Sequence, residues 1–536
     1  MIGMMGVKGY GQMGEWTWMN GDSTANNLGH YGIQGIFDSL NTPPGLYEAC
    51  EWTDNLGNFW LFGGVNDSGI FSDLWKFNPS INQWAWIKGP GIPNQIGIYG
   101  IIGIPSPANN PGGRSYAVSS WTDSLGNLWL FGGIGIALNN IGNLGDLWKY
   151  DISTNEWTWM KGDSVTNRNP IHGTLGIANN SNIPGSRYET CADWTFNNCL
   201  WLFGGVSNFS GPKMYSDLWK YDISINEWTW MKGDSSANAN GIYGTKGVSN
   251  VLNYPSGRGC YSHWKDNNGN LWIWGGLGIS SETKNDLWKY NIALNEWVWI
   301  SGDSSGNNLA IQITPICSPS NNNIPSGRYE SRACWINQCN NLEFFGGCGT
   351  TGIQNDLWNY NIITNEWTLI SGDTAVNLPS IYGTKTVSNS NNRPSNRFGS
   401  NSWKDNNGDI WIFGGGKYGL FGSNDLWRFV PDTTCPVLCS SGEGITETTQ
   451  NNPEISLYPN PTSGNFTLSI RNFSPALAGS NWDLRIIDVL GQEVYSQPII
   501  NQESTIINLP QISNGVYFYQ LTNSKESFRG KFVKEN

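Results

Sequence analysis

Charge is scarce in this chain: only 13% of its 536 residues are Asp, Glu, Lys or Arg, and acid outnumbers base 42 to 30. The resulting net charge of -12 and pI near 4.8 exclude the basic surface that nucleic acid or an anionic membrane would need. Histidine is nearly absent, with only His30, His172 and His263, and no spacing links them; no Cys/His set has zinc spacing either. Neither a metal nor any other cofactor is therefore expected. No apolar run reaches the roughly 18 residues that a membrane-spanning helix requires. The opening MIGMMGVKGYGQMGEWTW lacks a basic segment followed by a long apolar core, so no secretory signal is legible there.

Glycine and tryptophan are abundant instead, at 67 and 30 residues. They recur in a unit best seen from Leu200 to Asp234. A continuous apolar run, Leu200 to Phe203, stops at Gly204-Gly205. A variable loop leads to Asp217-Leu218-Trp219-Lys220-Tyr221, and a short turn to Glu227-Trp228-Thr229-Trp230. Alternation puts Trp228 and Trp230 on one face and Thr229 on the other, whereas the unbroken run requires burial on both faces.

The diglycine occurs at 63–64, 132–133, 204–205, 275–276, 346–347 and 414–415, and Asp-Leu-Trp at 73–75, 146–148, 217–219, 286–288, 356–358 and 425–427. With a further strand before each diglycine, the sequence predicts four strands in each of six repeats about 70 residues long. Fourth strands occur at Trp16, Trp84, Trp157, Trp228, Trp297 and Trp367, and the last repeat ends after its third strand at Trp427. The strand at Trp16 is therefore expected to complete the last repeat, which would remove two exposed sheet edges.

These residues resemble the kelch motif: a diglycine closing the second strand, an aromatic in the third, Trp in the fourth. The resemblance, which extends to the central domain of galactose oxidase, implies a six-bladed β-propeller over residues 15–431, after an N-terminal extension at 1–14. The period exceeds the usual kelch length of about 50 residues, and the surplus lies between the fourth strand and the next first strand. Strand parity places these insertions on the same face as the diglycine loops, which makes that face the candidate binding surface.

Two residue sets stand out there. Arg114, Arg187, Arg258, Arg328 and Arg397 open the innermost strands, with Leu46 in the first copy. By the resemblance they face a central cavity as a basic ring able to hold a carboxylate; the alternative is an arginine paired within its own repeat. Tyr31, Tyr99, Tyr243 and Tyr382 lie in the insertions, where a tyrosine suits sugar stacking or protein contact, or simply pins its own loop.

Galactose oxidase needs two His, two Tyr and a modified Cys for copper, and this chain does not assemble them. The Ser-x-Asp-x-Gly-x-x-Trp box of sialidases is not matched by Asp123 to Trp129. The segments 266–270 and 405–409 read as hairpin turns rather than calcium loops. The expected function is therefore a non-catalytic binding or adhesion module for a glycan or a protein. An exported polysaccharide-acting enzyme using carboxylates, and a structural surface-layer component, remain as alternatives.

Ten cysteines suit an exported protein, with Cys334–Cys339 and Cys435–Cys439 as local pairing options. Residues 432–453 read as a linker. Residues 454–536 resemble the C-terminal sorting domain of the type IX secretion system, on Tyr458-Pro459-Asn460-Pro461, the Asp-x-x-Gly turn at Gly491, the Asn-Gly-Val-Tyr strand at Gly515, and the basic end at Lys531. The resemblance implies a small β-sandwich, the type IX machinery as partner, and a secreted or surface-attached product.

Overall fold

The computed structural model describes residues 11–432 apart from 139, 193, 208–210, 212, 373–374, 418 and 421, together with Cys435 and seven segments between 454 and 534. The chain divides into two compact units, Met1–Ser441 and Gly442–Asn536. Among the described residues all regular structure is β-strand, and every paired strand is antiparallel.

In the first unit, six sheets each contain the same four-strand order. Sheet one is Cys50–Thr53, Phe59–Phe62, Leu74–Asn78 and Gln83–Lys88. Sheets two to five repeat it, and sheet five gains two short strands. Sheet six is Asn401–Lys404, Ile410–Phe413, Leu426–Pro431 and, as its fourth strand, Gly14–Asn20. Trp16 pairs with Phe429 and Trp18 with Trp427, so the chain's beginning completes its last sheet. The N-terminal segment starts pairing before residue 15: Gly11 and Gln12 lie against Gly372 and Ser371 of sheet five.

Successive sheets pack through six apolar cores, and the residues divide as the sequence pattern requires. Leu200 and Leu202 join the core shared with sheet two, while Trp201 and Phe203 join the core shared with sheet four. The last core brings Trp403, Trp411 and Phe413 of sheet six against Phe59, Trp75 and Trp84 of sheet one. Indole rings fill these layers because a Trp covers the large gap between two sheets with few rotatable bonds. Thr229, on the face opposite Trp228, is also buried, since the sheets are covered on both sides.

The diglycine is an inter-sheet joint. The second glycine N–H of each pair donates to the carbonyl of the residue opening the next sheet: Gly64 to Arg114, Gly133 to Arg187, Gly205 to Arg258, Gly276 to Arg328 and Gly347 to Arg397, all at 2.8–2.9 Å. The sixth, Gly415, donates to Leu46 at 2.9 Å. A side chain at Gly414 would place its Cβ 2.6 Å from the Leu46 carbonyl oxygen, and φ there is +65°, so only glycine fits.

The insertions do not stay on the diglycine face. Each leaves it, crosses to the next sheet and lies along the outer strand, as where Gly35 N–H donates to Trp86 O and Asp38 N–H to Trp84 O. Equivalent bridges join Ser106 to Trp157, Asn179 to Trp228, Asn250 to Trp297, Ser320 to Trp367 and Asn389 to Trp16. The parity argument located the roots of these arms correctly but not their course, because the free N–H and C=O groups of an outer strand attract any backbone able to pair with them.

One disulfide, Cys317–Cys435, ties the fifth arm to the chain just beyond sheet six. This corrects the local options: Cys435 is committed to Cys317, and Cys334 donates its thiol to His263 O at 3.2 Å while Cys339 is disulfide-bonded.

The second unit contains a three-stranded sheet (Glu454–Tyr458, Asn465–Arg471, Ser504–Asn508) and a four-stranded one (Asn481–Ile487, Glu493–Ile500, Gly515–Thr522, Ser527–Lys534). Leu468 and Ile507 of the first share a core with Leu484, Ile486 and Leu521 of the second.

Candidate functional site

The five arginines do not form an exposed ring. All are 0–1% exposed, and each guanidinium forks onto the Asp of its own repeat: Arg114 on Asp146, Arg187 on Asp217, Arg258 on Asp286, Arg328 on Asp356 and Arg397 on Asp425. A further N–H from each meets the first diglycine carbonyl, as Arg258 does with Gly275 at 3.0 Å. A cation this deep needs a carboxylate of its own, which leaves nothing to offer an incoming anion. Burial pushes Asp286 up, but Arg258 and its hydrogen bonds outweigh it and hold the carboxyl below its ordinary value.

The tyrosines close the same units. Tyr31, Tyr99, Tyr243 and Tyr382 donate their hydroxyls to Asp73, Asp146, Asp286 and Asp425 at 2.7–2.9 Å. Their rings pack on paired indoles; Tyr243, for example, lies between Trp288 and Trp299. His172 takes the same place on Asp217, at 3.0 Å, against Trp219 and Trp230. These rings are used in anchoring the arms. Hairpin carboxylates are equally occupied: Asp266 and Asp405 accept turn amides and the indole N–H of Trp272 and Trp411.

Sheet one departs from the pattern. With Leu46 in place of arginine, Asp73 keeps, among the described residues, only the Gly91 N–H and the Tyr31 hydroxyl, and burial pushes its carboxyl up to about 6.

Sequence reasoning missed the cluster where the six first strands converge. The second residue after each arginine, or after Leu46, has positive φ: Glu48, Tyr116, Glu189, Cys260, Glu330 and Gly399 at 49–64°. Their backbones are linked in succession. Glu48 N–H donates to Gly399 O, Gly399 to Glu330, Glu330 to Cys260, Cys260 to Glu189, and Glu189 to Tyr116, at 2.9–3.2 Å. Glutamates thus fall on alternate sheets around one centre. Glu48 and Glu189 are 0% and 4% exposed, while Glu330 is partly exposed.

Among the described residues, neither Glu48 oxygen has a hydrogen-bond donor other than a proton shared with the adjoining Glu189 carboxyl. Cys260 donates its thiol to Glu189, and Tyr47 its hydroxyl to Glu330. Burial, and then the neighbouring glutamates, push Glu48 well up and Glu330 up to about 8. Tyr47, Tyr116 and Tyr188 stand edge to face beside this cluster, with Phe398 against Tyr47. The sequence does carry the signal, as the dipeptide Tyr-Glu at 47–48, 188–189 and 329–330, in alternate repeats only.

Comparison with known proteins identifies one segment. Residues 456–535 match the Secretion system C-terminal sorting domain. No curated protein matches the chain. The sorting domain points to the type IX secretion machinery as a partner and to export, to the cell surface or beyond it. Tyr458 ends a strand of that domain, Gly515 opens another and is exposed, and Lys531 lies in the last; Pro459, Asn460, Pro461 and Gly491 fall outside the described residues. No helix among the described residues is long and apolar enough to cross a membrane.

Proposed function

We propose that residues 15–431 form a six-bladed β-propeller of the kelch type which, once exported by its sorting domain, binds a protein partner through the insertion arms. Six like sheets, cyclic cores and a first strand that completes the last sheet support the architecture.

One observation carries the binding reading. The same position of five arms bears an aliphatic side chain held out to solvent: Ile36, Ile104, Ile177, Val248 and Val387, each 53–57% exposed. The arm backbone is already fixed there by the bond to the outer strand and by a turn, as from Ile36 N–H to Ile33 O. Stability does not ask for an apolar residue at such a site, and each one left in water forgoes its burial energy. Aliphatic side chains on a rigid frame suit a protein surface better than a glycan, whose rings are held by aromatics and hydrogen bonds. Repetition around the perimeter favours, as a second reading, lateral contact with copies of this chain in a surface layer.

The test is site-specific photocrosslinking of the surface-displayed chain at 104, 177 and 248, with controls at the hairpin tips Ile225 and Ile363. Adducts to protein from the arm positions alone, abolished by Lys at Ile104 and Val248, support the reading, and adducts to the chain itself select the layer. Glycan-array binding without protein adducts, or polysaccharide turnover lost on a single carboxylate substitution, overturns it.

A further inference from the structure

The converging first strands bring a thiol and carboxylates from alternate sheets to one point. Ligand atoms of Glu189, Cys260 and Glu330 all lie within 4.8 Å of one another. Glu48 adds a fourth group: fully buried, beside Glu189, with neither oxygen met by a donor of its own. Arg332 is the cation nearest them; it is engaged at 3.5 Å with Glu51, and its Nε and Nη1 are unmet. Arg332 thus answers Glu51 and, at longer range, Glu48, and the buried Glu48 oxygens are left without a donor or cation in direct contact, a costly arrangement that a bound cation would relieve.

We propose that Glu48, Glu189, Cys260 and Glu330 form a site for a single divalent metal ion of borderline softness, of which Zn²⁺ is the type. One sulfur and two carboxylates within mutual reach, with Glu48 beside Glu189 as the fourth group, suit a four-coordinate zinc ion better than calcium, which takes six or more oxygens and no thiolate. On binding, Cys260 gives up its thiol proton, Glu330 its carboxyl proton and the Glu48–Glu189 pair its shared proton. All three leave to solvent as the ion's two charges enter. Glu330, the partly exposed member, lies on the side from which an ion can enter. Because the four ligands come from sheets one, three, four and five, the bound ion would fasten the ring across its centre, independently of what the arms bind.

The experiment uses the full chain, stripped with a chelator and then titrated with Zn²⁺ and, separately, Co²⁺. Elemental analysis is expected to give one zinc per chain, with a higher thermal midpoint, proton release on binding, and a thiolate-to-cobalt charge-transfer band in the Co²⁺ form. Cys260→Ser should abolish that band, and Cys260→Ser and Glu189→Gln should each weaken zinc affinity by at least about tenfold. Near-ultraviolet circular dichroism of the indoles establishes that the variants are folded. Should Cys260→Ser not fold, the band in the wild-type chain and the loss in Glu189→Gln decide. No saturable zinc uptake by the wild-type chain, or uptake and a band unaltered in a folded Cys260→Ser, overturns the proposal.

Discussion

The same substitution, Asp to Asn, should have opposite effects in two sheets that otherwise look alike. Asp286 of sheet four receives both arms of Arg258 at 2.6 and 2.8 Å. Removing its charge leaves a guanidinium that is 0% exposed without a counterion, which costs about 3–5 kcal/mol. Asp73 of sheet one has no arginine, because Leu46 holds that place. Burial moves its carboxyl from 3.8 to about 6, and at about 1.4 kcal/mol for each tenfold that displacement is a penalty of about 3 kcal/mol on the ionised form. The raised value means that the folded chain holds this proton more tightly than the unfolded chain does. Its stabilising contribution is therefore complete below about pH 4, fades as pH rises through about 6, and is absent at neutral pH. Asn keeps an acceptor for the Gly91 N–H, turns its amide N–H toward the Tyr31 hydroxyl oxygen, and never ionises. Unfolding followed by tryptophan fluorescence from pH 4.5 to 8 should show Asp73→Asn level with or more stable than wild type at pH 7.5, with the gain shrinking at pH 4.5. Asp286→Asn should be destabilised throughout. Equal losses from both substitutions at pH 7.5 would refute the assignment of Arg258 and Leu46 as the cause.

Three further outcomes follow from particular contacts. Replacing Cys317 and Cys435 by Ser opens a loop of 118 residues and should lower stability by about 2–5 kcal/mol, read as a fall in denaturation midpoint relative to the oxidised wild-type chain. Gly414→Ala meets the Leu46 carbonyl and a positive φ together, so it should cost well over the about 1 kcal/mol of a strain-free glycine replacement, while Gly419→Ala, with nothing near its Cβ, should pay only for its backbone conformation. Tyr243→Phe removes one hydroxyl from Asp286 and should cost about 1–2 kcal/mol without altering glycan or protein binding, which would show the ring to be an anchor; loss of ligand with unchanged stability would contradict that.

The strands were legible because Trp, diglycine and alternation each report a local requirement: Phe203 before Gly204 and Trp228 before Trp230 needed no partner to be recognised. Strand order was legible from one mismatch, a fourth strand at Trp16 before any first strand. Three things were not legible. The roles of Arg258 and Tyr243 depended on whether Asp286 lay within reach, and sequence separation does not give a distance. The course of the arms was missed because pairing of Gly35 with Trp86 involves backbone groups, which every residue carries. The central glutamates were missed because Glu48, Glu189 and Glu330 lie about 140 residues apart and only the convergence of the first strands makes them neighbours. Export, by contrast, was legible from the tail, whose motifs are local.

All these placements depend on the strand Gly14–Asn20 completing the sixth sheet, and hydrogen exchange of the intact chain tests this directly. Amides of residues 14–20 should exchange as slowly as those of Ile410–Phe413 in the same sheet. Exchange of 14–20 at the rate of an unpaired segment, with 410–413 still protected, would mean that the ring is not closed in this way.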